Sequence, residues 1–400
     1  MAPLPKTKSV LIVGAGPAGL VAAKTLKQYG YAVSVYEAAD CVGGMWKTKD
    51  GGPGDKCSIH MHTNLSRYTV SFSDLSWSSV DLQYMYDDSG HSQKNPRMFP
   101  MAWQVGEYLE TYAKEFDIMS SVFLERRVNS AKLNKGTWDV SYVDSSGKLS
   151  GPRTFDHLIV ASGYFNKPAH SFDPSPSKDL PNIQHSSRFR DLSGLTNTPG
   201  KIVVIGGGIS GSEAAAQAAF QISNAQYGPS ATKPAHAASK IYHVINRPFY
   251  ALPRYLPTNP RGQDGQFELA PKFLPLDLVL HNISRRGKGE ISAAITTMPP
   301  EKARKGHAFL RDCLGGDQRD VGRSELVYKT DRIHYPAYTG ITDTYKEFVR
   351  SGIVIPVQGQ VEEVTQQVDG NLFGVNIKQS APWAIKDTTV SPLPTRILLD

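Results

Sequence analysis

Two stretches of this chain repeat one pattern, and that pattern narrows the fold more than any other feature. In the first, Ser9–Val13 (SVLIV) is a short β-rich run and GAGPAG turns the chain. LVAAKTLKQYG then carries apolar residues at helical spacing and stops at Gly30, and Tyr31–Tyr36 (YAVSVY) is a second strand ending at Glu37. Strand, tight turn, helix and strand within so short a segment make a mononucleotide-binding unit. In the second, Lys201–Ile205 (KIVVI), GGGISG, SEAAAQAAF and Lys240–Ile245 (KIYHVI) follow in the same order. The repetition extends outward, since Tyr345–Ser351, GIVIPVQGQVEEV and NLFGVNI restate the helix, strand and meander order of Tyr108–Tyr142. The expected class is therefore α/β, with two Rossmann-like dinucleotide-binding domains, each built from a parallel sheet and an antiparallel meander.

The boundaries follow from the local pattern. Val128–Tyr142 alternates around a Lys-Gly turn, and FDHLIVA is a buried strand closing on Ser162-Gly163. A loop rich in Pro and Ser, Lys167–Pro181, divides the chain, giving a first domain over 1–167. A second domain spans 168–325, with an irregular insert from about residue 250 that is rich in Pro, Gly and Arg. Within that insert FLPLDLVLHNI reads as one helix. Residues 326–400 form a helix and meander expected to return toward the first domain. The end, LPTRILLD, sits where the first repeat has FDHLIVASG, so an equivalent strand begins as the sequence stops and the expectation is a truncated unit.

Each glycine of GxGxxG has its own task. Gly14 and Gly206 allow the tight turn, Gly16 and Gly208 let a pyrophosphate approach the backbone, and Gly19 and Gly211 let the helix pack on the sheet. Glu37, 18 residues past Gly19, can accept hydrogen bonds from a ribose diol. The second unit has no acid at its strand end, and Asn246 and Arg247 stand there instead. A cation in place of the acid is what a 2′-phosphate requires, with a solvated surface arginine as the plain alternative and Arg254 as a weaker candidate. These signs point to FAD on the first unit and NADPH on the second.

Composition excludes other classes. Apolar residues are 40% and charged residues 20% of the chain, an ordinary globular balance that rules out a disordered, collagenous or coiled-coil chain. The net charge of +7 comes without a block of like charges that would serve as a nucleic-acid tail. Cys41, Cys57 and Cys313 include no CxxC pair, which argues against thiol–disulfide chemistry and for a reducing, cytoplasmic setting. No run of ~18 apolar residues offers a membrane span. His60 and His62 lack a third ligand, so no metal is expected, and HExxH, GxSxG and Walker patterns do not occur.

Further landmarks make a resemblance specific. GAGPAG, EAAD followed by GGMW, the Thr63-Asn64 pair in HTNLSRYTVSFSD, VASGYFNKP, GGGISGSE and FLPLD together resemble, in order, the flavin-containing monooxygenase family. That resemblance implies that Gly43 and Gly44 admit the flavin side chain, with Trp46 packing beside it or serving as plain core. It implies that Ala161-Ser162-Gly163 matches the family's Ala-Thr-Gly linker, so Ser162 and Gly163 join the cofactor set. It places Asn64 close to the flavin's reactive face, where a neutral amide donates without an acidic proton; the alternative is an asparagine that caps a turn. The family's F-x-G-x-x-x-H-x-x-x-[FY] pattern is half present: His185 and Phe189 fit, while Asp179 and Pro181 occupy the Phe and Gly places.

The activity that the resemblance implies is NADPH- and O2-dependent oxygenation of a soft nitrogen or sulfur nucleophile through a C4a-hydroperoxyflavin, with the cofactor carrying the chemistry. Baeyer–Villiger oxygenation of a ketone and N-hydroxylation are its near alternatives. A non-oxygenating FAD- and NADPH-binding sensor or scaffold is the alternative of another class. The expected partners are a small-molecule substrate and O2, with neither nucleic acid nor membrane, and a homodimer is one assembly open to such a chain.

Overall fold

A computed structural model describes residues 7–46, 57–58, 61–82, 96–165, 183–192, 200–230, 232–257, 273–280, 298–366, 373–378 and 395–399. The chain forms two compact units, Met1–Lys167 and Pro168–Asp400.

The first unit opens with β1 (Ser9–Val13), α1 (Pro17–Gln28) and β2 (Ala32–Tyr36), the order expected from the sequence. Helix α2 (Ala102–Glu115), the short β3 (Val122–Phe123), β4 (Arg127–Asn134), β5 (Thr137–Val143), β6 (Leu149–Phe155) and β7 (His157–Val160) complete it. Its main sheet runs β3-β2-β1-β7, all parallel, and β4-β5-β6 is the antiparallel meander. Alternation decides which side chains go where. Val10, Ile12 and Val35 face the helices and pack with Leu20, Ala23, Tyr108 and Tyr112. Leu11 and Tyr36 face the meander and pack with Val140, Tyr142 and Phe155. Burying each such large side chain is worth about 1.5–3 kcal/mol, so both layers hold the end of the sheet where the glycine loop emerges.

The second unit begins with β8 (Ile183–His185), β9 (Lys201–Ile205), α3 (Ile209–Tyr227), β10 (Lys240–Ile245) and β11 (Tyr250–Leu252). It continues through β12 (Tyr255–Pro257), β13 (Phe273–Pro275), α4 (Leu276–Leu280), α5 (Pro300–Leu314), β14 (Thr339–Ile341), α6 (Tyr345–Arg350) and β15 (Val354–Gln358). The ribbon β16 (Gln360–Gln366) and β17 (Phe373–Lys378) and a last strand β18 (Thr395–Leu399) follow. Its sheet order is β15-β10-β9-β18-β8, again parallel. Ile202, Val204, Ile241 and Ile245 bury against Ala214, Ala215, Ala218, Ala219 and Ile222 of α3, whose small residues let the helix lie close to the strands. On the opposite face Val203, Ile205 and Val244 pack on Val361 and Val375 of the ribbon.

Several expectations are refined. The sequence pattern makes residues 326–400 a separate returning segment; instead β15 and β18 are strands of the second sheet. β18 (Thr395–Leu399) pairs with β9 (Ile205 opposite Leu399) as β7 pairs with β1 (Val13 opposite Val160), so these two strands hold matching places in the two sheets. The insert is less irregular than its composition suggests. FLPLD divides into β13, paired with β12, and the five-residue α4, because Pro275 closes the strand. The 15-residue α5 escapes the composition argument, although Pro299-Pro300 at its start and Gly315 in the left-handed region at its end (φ 72°) are the ordinary helix limits. Expectations that rest on His60, Asp179 and Pro181 lie outside the described residues.

Candidate dinucleotide sites

In the first unit the predicted glycines converge. Gly14 leaves β1 with φ 104°, a conformation that an L side chain resists, and its N–H donates to the Tyr36 carbonyl at 2.8 Å. A Cβ there would lie 2.6 Å from the Ala161 oxygen, and one on Gly19 would lie 1.9 Å from the Gly14 oxygen. Both positions are therefore closed by the fold itself. Gly16, the residue that caps α1, is different: the nearest atom to a Cβ there is the Gly44 α-carbon at 3.7 Å. Among Gly14, Gly16 and Gly19, the glycine whose missing side chain leaves open room is thus the one at the helix N-terminus, as a pyrophosphate cradle requires.

Gly43 and Gly44 complete this wall. Both have positive φ (105° and 68°), Gly43 N–H donates to Ala15 O at 2.9 Å, and Trp46 N–H donates back to Gly43 O at 3.2 Å. Trp46 is partly buried and packs against the core of the unit. Glu37 does more than its place in the sequence suggests. Its carboxylate accepts the Ala15 N–H at 2.6 Å and the Ala39 N–H at 2.8 Å, so it ties the glycine loop to the end of β2. A carboxylate has about four lone-pair sites, and two remain for a ribose diol. Ser162 and Gly163 follow β7 as exposed residues, with Gly163 at φ 75° and nothing within 4 Å of its Cβ position.

Asn64 is half-buried in a segment held against residues 96–102. Thr63 N–H donates to Pro100 O at 2.9 Å, Arg67 N–H to Met98 O at 2.7 Å, and Ala102 N–H to Met61 O at 2.9 Å. These bonds fix the backbone on both sides of Asn64 and seat the segment at the start of α2.

The second unit repeats the loop with other fastenings. Gly206 has φ 134° and donates to Val244 O at 3.1 Å, and Gly208 caps α3 with Gly211 buried in its first turn. Register matters here. Val13 pairs with Tyr36 and Ile205 with Val244, so the residue that corresponds to Glu37 is Ile245, and Asn246 and Arg247 come one and two places later. Arg247 is not a solvated surface arginine: its guanidinium carbon lies 3.0 Å from the Tyr338 ring centroid and its Nε is buried with no hydrogen-bond partner. Tyr338 is held in turn, its N–H donating to the Tyr328 hydroxyl at 2.9 Å, and burial raises the Tyr328 phenol to about 12, so it stays neutral. A stacked guanidinium with an orphaned N–H suits an anionic ligand.

Arg254 is otherwise engaged. It pairs with Asp343 at 2.7 Å and lies 3.8 Å from Glu213, whose burial raises its carboxyl to about 7 despite the nearby guanidinium. Both acids therefore compete for the Arg254 guanidinium. His185 accepts the Ser187 N–H at its Nδ1 at 3.2 Å, capping a short 3-10 turn, and Phe189 is buried in the second core. Sequence reasoning misses His243, Tyr338 and Tyr345. Only His243 carries a local signal, a histidine between the apolar residues of β10.

Comparison with known proteins gives these sites a family. The pattern of the pyridine nucleotide-disulphide oxidoreductase family matches residues 8–232. Two Arabidopsis thaliana proteins, flavin-containing monooxygenase FMO GS-OX-like 6 and flavin-containing monooxygenase FMO GS-OX1, are each 30% identical to this chain over 230 residues. Those alignments cover 52% and 53% of this chain and 45% and 48% of the relatives, so the chain spans about half the length of the curated relatives it matches. Among solved structures, an ε-caprolactone-bound cyclohexanone monooxygenase superposes with a TM-score of 0.55 at 14% identity, over 98% of this chain and 73% of that one. The bacillithiol disulfide reductase of Bacillus cereus superposes with 0.53 at 13% identity, over 98% and 77%. At such identities these two likenesses speak for the fold alone. The family pattern covers more than half of the 400 residues, from the first glycine loop through the second, and the chain belongs to the pyridine nucleotide-disulphide oxidoreductase family.

Proposed function

We propose that the protein is an FAD- and NADPH-dependent monooxygenase that transfers one oxygen atom from O2 to a soft nitrogen or sulfur nucleophile. The observation that carries this reading is the pair of glycine loops with different strand-end chemistry, an acid (Glu37) on one and a stacked arginine (Arg247) on the other. The flavin-containing monooxygenase relatives support the choice of reaction. When bound, the flavin supplies the redox chemistry, taking a hydride from the nicotinamide and activating O2.

The residues of the chain bind and orient. The open face at Gly16 takes the flavin pyrophosphate at the α1 N-terminus, Glu37 takes the adenosine ribose, and Gly43 and Gly44 let the flavin side chain pass close to the backbone. In the second unit Gly206 and Gly208 receive the NADPH pyrophosphate, and Arg247, stacked on Tyr338, receives the 2′-phosphate. The Asn64 amide donates a hydrogen bond to the reacting oxygen without offering an acidic proton. Asn64→Ala should keep flavin reduction by NADPH and lose product per NADPH consumed, the electrons leaving as hydrogen peroxide. Equal yield would return Asn64 to a turn-capping role.

Cys41, Cys57 and Cys313 are half-buried and form no disulfide with one another. NADPH turnover against a panel of amines, sulfides and ketones, with product mass, tests the reading. Oxygenated amines or sulfides support it, lactones or esters from the ketones replace it, and NADPH use without oxygenated product overturns it.

A further inference from the structure

The two glycine loops are fastened differently. In the first unit Glu37 holds the loop through the Ala15 N–H at 2.6 Å. In the second, Ile245 stands in the place of Glu37 and its side chain offers no acceptor, while the loop has three successive glycines (Gly206, Gly207, Gly208) where the first has Gly14-Ala15-Gly16. Each added glycine enlarges the set of backbone conformations that the loop must give up when it is ordered. Something else has to hold it.

That something is His243, two places before Ile245 and completely buried. Its Nε2 lies 2.6 Å from the Gly206 carbonyl oxygen, and its Nδ1 lies 2.7 Å from the Tyr345 hydroxyl on α6. The carbonyl can only accept, so Nε2 carries the proton and Nδ1 accepts from the Tyr345 hydroxyl. Burial holds the imidazole down to about 4, so it is neutral at physiological pH, and each nitrogen has one partner of the right kind. A trans peptide is a rigid plane, so holding the Gly206 oxygen fixes the Gly207 N–H on the opposite side. The corresponding position in the first unit is Val35, which has no polar atom to do this.

We propose that His243 is the positioning residue of the second dinucleotide loop, its Nε2–H holding the Gly206 carbonyl in the nucleotide-receiving conformation while the Tyr345 hydroxyl fixes the tautomer. The proposal rests on the reading of this loop as the NADPH site.

The experiment uses the full chain loaded with FAD and titrates NADP⁺ into wild type, His243→Leu, His243→Gln and Tyr345→Phe. Leucine fills the space without a donor, and glutamine keeps a donor near the Nε2 position. The expected result is a dissociation constant raised about tenfold or more in the leucine variant, within about threefold of wild type for glutamine, and in between for Tyr345→Phe, with FAD stoichiometry unchanged in all. A role in packing alone predicts the reverse order, with leucine tolerated and glutamine penalised. Equal NADP⁺ affinity of the leucine variant and wild type overturns the proposal, as do equal losses for leucine and glutamine. If the leucine variant does not fold, Tyr345→Phe, which removes one oxygen atom, decides alone: an unchanged dissociation constant overturns the proposal. Failure of wild type to bind NADP⁺ would instead remove the NADPH reading, and the proposal with it.

Discussion

A Cβ placed on Gly16 would meet nothing nearer than the α-carbon of Gly44, 3.7 Å away, whereas one placed on Gly19 would lie 1.9 Å from the Gly14 oxygen. Gly14 and Gly19 are thus required by the fold, whereas Gly16 has room for a side chain, and its proposed role is to admit a ligand. Gly16→Ala should fold with a stability within about 1 kcal/mol of wild type, yet bind FAD at least about tenfold more weakly, because the added methyl occupies the pyrophosphate's approach. Gly19→Ala should lose stability outright, since backbone must move to admit it. Thermal melts of flavin-free protein alongside FAD titrations separate the two, and a Gly16→Ala protein with normal flavin content would refute the site.

The cofactor preference of the second unit should depend on a residue that the nucleotide need not touch. Arg247→Ala removes a charge-assisted bond worth about 1.5–3 kcal/mol, roughly ten- to a hundredfold in the NADPH Michaelis constant, with little change for NADH. Tyr338→Leu leaves the charge in place but removes the surface on which it lies. It should lower the NADPH-over-NADH preference several-fold, and Tyr338→Phe should preserve it. If Arg247→Ala kept the wild-type preference, another cation would be the reader.

Glycine spacing, the terminal acid and the alternation of buried positions are local signals, and from the amino-acid sequence alone they place the strands, the loops and Glu37. The partners that shape the site are not legible there, because they are distant along the chain: Tyr338 lies under Arg247 through a fold-dependent contact, and Tyr345 reaches His243 from α6. The dual hydrogen bond of Glu37 is hidden for a related reason, since a carboxylate at a strand end reads the same whether it holds ribose, backbone or both. In the insert, composition masks α5, whose Pro and Gly limits are present but count equally as signs of irregularity.

A buried histidine and a half-buried glutamate in the second unit make opposite demands on pH. His243 is lowered from 6.5 to about 4, so its contribution to stability is complete above 6.5 and is lost as pH falls through 4. Glu213 is raised from 4.5 to about 7, so its contribution is complete below 4.5 and is lost as pH rises through 7. Each amounts to about 3 kcal/mol, and between pH 4.5 and 6.5 their slopes oppose each other. Wild type should show a nearly flat contribution from this pair over that window. Glu213→Gln should expose the histidine term, so that denaturant midpoints of the variant fall steadily from pH 6.5 toward 4 relative to wild type. Parallel pH profiles for the two proteins would contradict this.

Whether this chain uses NADPH and FAD to insert oxygen from O2 is tested most directly by isotope. FAD-loaded protein supplied with NADPH, a sulfide or tertiary amine and ¹⁸O2 should yield a product one oxygen heavier that carries the ¹⁸O label, about one product per NADPH consumed. Label drawn from water, or NADPH oxidised with hydrogen peroxide as the sole product across amines and sulfides alike, would contradict the account.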